Sequence, residues 1–236
     1  MPERDTAVTL PQTMTRLHDF LHEPMNTLTH LIGAVASLAG TFLLGYMTWG
    51  QPGKFITMLI YGVSMTILYT SSTLLHGIKT DNAKRMWLNR LDHVAIFLLI
   101  AGTYTPIAYN LFPPRLRWPV LIIIWLAVIA GAFYKLFSPR IHGLFNASIY
   151  VVLGWGSAVP LLLSANLLTT IPSRGLILLL LGGLIYTVGF FIYYFHWPDP
   201  WPEFFGHHEI WHLFVMGGSL CHFLFILLYV VPPPVN

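Results

Sequence analysis

Of 236 residues, 56% are hydrophobic and only 9% are charged. A soluble domain carries about a quarter charged residues, so this chain's solvent must be largely lipid. The net charge of +3 is scattered over short connectors; with no basic stripe or aromatic reading platform, a nucleic-acid partner is excluded, and the single cysteine, Cys221, excludes an internal disulfide framework.

Residues 1–25 are a polar tail of mixed charge. They lack the basic start and apolar run of a cleaved leader, so insertion is expected to be directed by the first span itself. Within the tail, "RLHDFLHE" (Arg16 to Glu23) fits either a short helix lying on the inner membrane surface or an ordinary polar tail. Seven stretches then reach the length of about 20 apolar residues that crosses the hydrocarbon core: 28–49, 54–76, 92–111, 117–137, 143–163, 175–196 and 208–231. The runs are continuously apolar, not alternating, which favours helices over barrel strands. Between them fall Pro52-Gly53, Pro113-Pro114, Pro139, Pro172 and the Pro198–Pro202 turn, in connectors too short for a soluble domain. The expectation is an all-α integral membrane protein, a seven-transmembrane-helix bundle over residues 26–236. No internal repeat is evident, which disfavours an inverted-repeat transporter.

Orientation follows from the basic residues. Arg4, Arg16, Lys79, Lys84, Arg85, Arg90, Lys135 and Arg140 fall on one side, against Lys54, Arg115, Arg117 and Arg174 on the other. The amino terminus is therefore expected in the cytoplasm and the carboxyl terminus outside, in a multi-pass protein of the cell membrane.

Polar groups at membrane depth are costly and mark function by default. His76 ends span two, Asp92 opens span three, and His208 and His212 open span seven. Alternating spans bring all four into one layer, whichever way the bundle is inserted. His208 and His212 lie four residues apart, about 40° around a helix, and can share one ion. Ser72 stands on the His76 face at the same spacing. Imidazole dominance favours zinc, and three imidazoles plus water would leave an open site. Each residue alone has a blander reading: His76 as an interfacial histidine, Asp92 as a helix cap beside Arg90, the pair as a chance grouping. The constellation is what points to a metal.

The other histidines are weaker candidates. His196 and His207 lie in a Pro- and Trp-rich connector that suits interfacial anchoring, and His93 points about 100° away from Asp92. His30 and Asn26 belong to the metal layer and are expected to support the site or pair helices. His222 lies about 21 Å beyond His208 along the helix, too deep for the same ion, and with Ser219 suits interhelical hydrogen bonding.

The segments "SSTLLHG", "RLDHVAIFLLIAGTYTP" and "HEIWHLFVMGGSLCHF", with the opening "EPMNTLTHLIGA", resemble the signature segments of the hemolysin III family. These are bacterial relatives of the progestin and adipoQ receptors, which include the adiponectin receptors. The resemblance covers all seven spans and implies a seven-helix bundle with a cytoplasmic amino terminus. It also implies His76, His208 and His212 as zinc ligands, Asp92 linked to the metal through water, and Ser72 as a further polar site residue. A wider superfamily containing alkaline ceramidases has the same pattern, and bacterial members are linked to membrane lipid homeostasis. Family members share His-x-x-x-His with a variable residue after the first histidine, so the peptidase-like H-E-x-x-H at His208, Glu209 and His212 is expected to be coincidental.

Three functions follow as expectations. The first is an intramembrane Zn2+-dependent hydrolase of a membrane lipid amide or ester, with Asp92 as base and Ser72 near the oxyanion. The second is a non-enzymatic sensor in which structural zinc staples spans two, three and seven. A pore-forming cytolysin is disfavoured, because no span carries a continuous polar stripe.

Overall fold

The computed structural model describes residues 17–138, 144–156, 159, 171–202 and 204–232. Among them the chain is helical, with no strand beyond one isolated bridge, Trp201 to Phe205. The helices are α1 (Pro24–Met47), α2 (Pro52–Gly77), α3 (Asn82–Leu111), α4 (Pro114–Phe137), α5 (Leu144–Trp155), α6 (Ser173–Phe195) and α7 (His207–Phe225). Helix α7 runs on into a π-helical turn, Ile226–Val230, closed by Val231 N–H donating to the Ile226 carbonyl at 2.9 Å. Six of the helices are long and apolar enough to cross a membrane. The described part of the fifth expected span is α5 with Gly156 and Val159; the rest of 143–163 lies outside the described residues.

Local chemistry sets the boundaries. Pro24, Pro52 and Pro114 open α1, α2 and α4, where the missing N–H costs nothing and φ is already helical. Between α1 and α2, Gly50 takes a left-handed φ of 84° that a side chain would strain. Helix α3 corrects the expected start at residue 92. Asp81 caps it by accepting from Lys84 N–H at 2.9 Å, so it begins ten residues earlier, at Asn82. Asp92 is therefore neither the opening residue nor the cap; it stands in the third turn. Hydropathy locates the edge of the lipid, and α3 extends past that edge through Asn82–Arg90, a stretch rich in polar residues.

Short loops make α1, α2, α3 and α4 successive antiparallel neighbours. Helix α7 packs on α6 and on α1, closing the bundle, while α5 touches α3 and α6. Close approach depends on small residues, as membrane packing requires. A Cβ on Gly33 would fall 2.7 Å from the Tyr69 ring, so α1 and α2 cross there without space for a side chain. At mid-depth the Tyr69 and Tyr186 hydroxyls meet Ser219 Oγ at 2.7 and 2.8 Å, and the His222 ring donates to the Leu179 carbonyl at 3.3 Å. Ser219 and His222 thus tie helices together, as expected, though through separate partners. The outer faces of α4 and α6 expose Ile122, Ile123, Phe133, Ile177 and Phe191, the surface a bilayer would cover.

Candidate metal centre

Three helix ends converge where the chain enters the bundle. Helix α2 finishes there with His76, α7 starts there with His208 and His212, and α1 starts there with Asn26, Thr29 and His30. The rings of His76, His208 and His212 form a nearly equilateral triangle, with centroids 4.9, 5.0 and 4.8 Å apart and planes inclined by 71–74°. One ligand nitrogen from each lies within 4.8 Å of the other two. His76 and His212 are buried and His208 is half-buried. The structure thus brings together three histidines separated by up to 136 residues, close enough to hold one metal ion.

Hydrogen bonds fix the tautomers needed for that task. His76 Nδ1 lies 2.5 Å from Glu23 Oε2, so it carries the proton and donates to the carboxylate. His212 Nδ1 lies 3.1 Å from Thr29 Oγ1. The Thr29 hydroxyl proton goes to the Asn26 carbonyl at 2.9 Å, which leaves its oxygen to accept from His212. Both rings therefore turn an unprotonated Nε2 away from these partners. A metal-binding imidazole typically has this arrangement, with its other nitrogen oriented by a carboxylate or hydroxyl. The donor set fits a borderline cation such as zinc better than calcium or magnesium.

Glu23 and Thr29 were not among the residues singled out from sequence. With the first span read from 28, Glu23 falls in the polar tail of mixed charge. Its level beside the end of α2 was the available signal. Glu23 Oε2 also accepts from Asn26 Nδ2 at 3.0 Å, and Oε1 lies 3.2 Å from His22 Nδ1. Burial alone would raise the Glu23 carboxyl; the His76 hydrogen bond and charge, with Asn26, outweigh it and hold the pKa at about 2. The backbone clamps the same place, since Glu23 N–H donates to the His76 carbonyl at 2.9 Å and His22 N–H to the Gly77 carbonyl at 3.2 Å. Residues 17–20 before it are helical, and Lys79 Nζ donates to the His18 and Asp19 carbonyls. Of the two readings of Arg16–Glu23, a helix is present over residues 17–20; Arg16 lies outside the described residues.

Ser72 is buried, and its Oγ shares a 2.6 Å hydrogen bond with His30 Nδ1. His30 in turn lies flat on His212, with centroids 3.5 Å apart and planes 8° from parallel. His30 thus supports the triad, as expected of that layer. Asp92 neighbours His76 and Ser71 but stands outside the triad. Glu209 turns away from the histidines: its Oε2 accepts from Gly206 N–H at 2.8 Å and caps α7. Its role is that of an N3 capping residue, which explains H-E-x-x-H here without a peptidase. His93 Nδ1 bonds the Asn89 carbonyl at 2.8 Å, and the His196 and His207 rings meet edge to face with centroids 4.7 Å apart, His207 beside Asp199.

The three histidines, with His30, face a chamber of about 790 Å³. Glu23, Ser72, His76, Asp92, His208 and His212 line its polar end, and Ile107, Ala108 and Phe112 line its apolar depth. From Asn89 to Phe112 it follows α3 for roughly 35 Å, which matches a hydrocarbon core of about 30 Å.

A family model described as Haemolysin-III related matches residues 18–223. Hemolysin-3 of Bacillus cereus is 37% identical over 228 residues, covering 94% of this chain and 99% of the relative. The Hemolysin-3 homolog of Bacillus subtilis (strain 168) is 36% identical over 214 residues, 90% of this chain and 96% of the relative. At greater distance, Heptahelical transmembrane protein 1 of Arabidopsis thaliana is 27% identical, covering 89% of this chain and 70% of the relative.

Proposed function

The chain belongs to the haemolysin-III related family of multi-pass cell-membrane proteins, and on that premise we propose that it is an intramembrane zinc-dependent hydrolase of a lipid amide or ester. One observation carries the reading: three histidines close enough to hold a metal ion face a long, mostly apolar chamber whose polar end also holds a carboxylate and a hydroxyl. His76, His208 and His212 would hold the ion. Zinc, when bound, supplies Lewis acidity to a carbonyl oxygen and lowers the pKa of water toward 7.

The chain's own groups do the rest. The acyl chain lies along Ile107, Ala108 and Phe112, which sets its carbonyl at the histidine layer. Asp92 takes a proton from water as the water oxygen bonds to the acyl carbon. It returns that proton to the leaving nitrogen or oxygen as the C–N or C–O bond breaks, releasing a fatty acid. With His30 Nδ1–H donating to Ser72 Oγ, the Ser72 hydroxyl keeps its own proton for the developing oxyanion. The amino terminus, on this reading, is cytoplasmic, and the chamber's polar end meets the inner leaflet.

The test uses purified, zinc-loaded protein in lipid nanodiscs with ceramide-like amides and acyl esters, measuring released fatty acid. Asp92→Ala is expected to retain the metal and lose turnover by about 10²–10⁴-fold. Undiminished turnover in that variant would remove Asp92 from the chemistry. The triad also joins α2 to α7, which suits a structural ion in a sensor. If stripping the metal lowers the melting temperature and no lipid is turned over by loaded protein, that second reading stands instead.

A further inference from the structure

A second group of imidazoles stands outside the triad, at the rim of the chamber. Helix α6 ends at His196, which takes a left-handed φ of 56° as the chain turns toward α7. Helix α7 begins at His207. The connector folds these two ends together, so the His196 and His207 rings meet with centroids 4.7 Å apart and planes inclined by 67°. Within the triad the same quantities are 4.8–5.0 Å and 71–74°. The rim pair repeats the ring spacing of the candidate metal ligands.

A carboxylate backs this pair as Glu23 backs His76. Asp199 Oδ1 accepts from His207 N–H at 3.0 Å and lies 3.4 Å from His207 Nδ1. The contact assigns the proton to Nδ1 and leaves Nε2 unprotonated, the tautomer that a metal-binding imidazole uses. Gly206 makes room for it, because a Cβ there would collide with Asp199 Oδ1. Interfacial anchoring, the role expected of these two histidines, requires none of this. Trp197 and Trp201 are exposed in the same connector and supply it.

Exposure falls along one line of rings. His196 is exposed and lines the chamber, His207 and His208 are half-buried, and His76 and His212 are buried. The His207 and His208 rings lie 6.5 Å apart, and His208 is 4.9 Å from His76 and 4.8 Å from His212. We infer that His196 and His207, with Asp199 behind them, form a second, labile zinc site that passes the ion to the triad through His208. The inference rests on the triad as the resting place of a metal and is independent of any lipid chemistry. Asp199 draws the dication to the rim. Two imidazoles there leave the other coordination positions to water, so the ion exchanges readily, whereas three at the triad hold it.

The test follows zinc into and out of the full chain in lipid nanodiscs, against a fluorescent chelator of known affinity. Titration of stripped wild-type protein should find one tightly held zinc and one weakly held. The weak one should be absent from His207→Gln and from His196→Asn, asparagine being tolerated at a left-handed position. A path lowers a barrier without moving its ends. Both variants should therefore slow loading and release by the same factor, about tenfold, the order by which a lost partner weakens a metal site. The affinity of the tight zinc should not change. Wild-type rates in either folded variant overturn the inference. So does faster release with loading unchanged, which would make the pair a support of the triad. A wild-type chain without the weak zinc overturns it even if neither variant folds. Weak zinc without the tight one would sink the triad as the ion's resting place while the rim site stands; tight zinc without the weak one sinks the rim site alone.

Discussion

Glu23 holds His76 at two points: its carboxylate accepts from the ring at 2.5 Å, and its backbone N–H donates to the His76 carbonyl at 2.9 Å. The residue that enters α1 thus fixes both the place and the tautomer of the residue that ends α2. A carboxylate behind a ligand imidazole also makes the outward nitrogen a stronger donor.

Replacing Glu23 by Gln keeps the shape and removes the charge. Zinc affinity, measured by competition against a chelator of known strength, should fall about 10–100-fold. The helical content should be unchanged. Wild-type affinity in this variant would mean that the carboxylate only anchors the chain entry.

Thr29 does for His212 what Glu23 does for His76, with a weaker group. Thr29→Val leaves His212 Nδ1 without its acceptor and should weaken zinc binding about tenfold, near the cost of one buried unmet hydrogen bond. Thr29→Ser should restore it. The same competition assay reads both variants, and an unaffected Val variant would contradict the tautomer assignment.

The pH dependence of the entry clamp has a definite sign. The folded Glu23 carboxyl sits at about 2 against an ordinary value of 4.5. A depressed carboxyl contributes stability that is complete above its ordinary value and is lost as pH falls through the folded one. In metal-stripped protein, the protection factor of the Glu23 amide, its exchange rate relative to the intrinsic rate at each pH, should stay flat down to about pH 5 and drop between 4.5 and 2. Glu23→Gln should show no such step. A step at the same place in that variant would assign it to another group.

Glu209→Ala separates this site from a peptidase. The substitution removes the cap on Gly206 N–H and should cost about 0.5–2 kcal/mol of stability in thermal melts. Metal content and any lipid turnover should persist. Loss of turnover with metal retained would return Glu209 to the chemistry.

Much of this arrangement was legible in the chain. Alternation of apolar runs was enough to bring His76, Asp92, His208 and His212 to one layer, because a span can only go back and forth. Four-residue spacing was enough to pair His208 with His212. The position of a charge along the chain does not give its role: Glu23 falls in the polar tail and Lys135 near the end of the fourth span, yet one bonds the His76 ring and the other is fully buried. Hydropathy sees the lipid boundary, so it also missed the turns of α3 before residue 92. The stacking of His30 on His212 was not visible at all, since no spacing rule relates residues 182 positions apart.

The account rests on three imidazoles holding one ion, and metal content tests that directly. Elemental analysis of protein purified without added metal should find about one zinc per chain. Single alanine substitutions at His76, His208 or His212 should each abolish stoichiometric retention while Asp92→Ala does not. A wild-type chain with no stoichiometric transition metal, or any one of the three histidine variants with unchanged content, would contradict it.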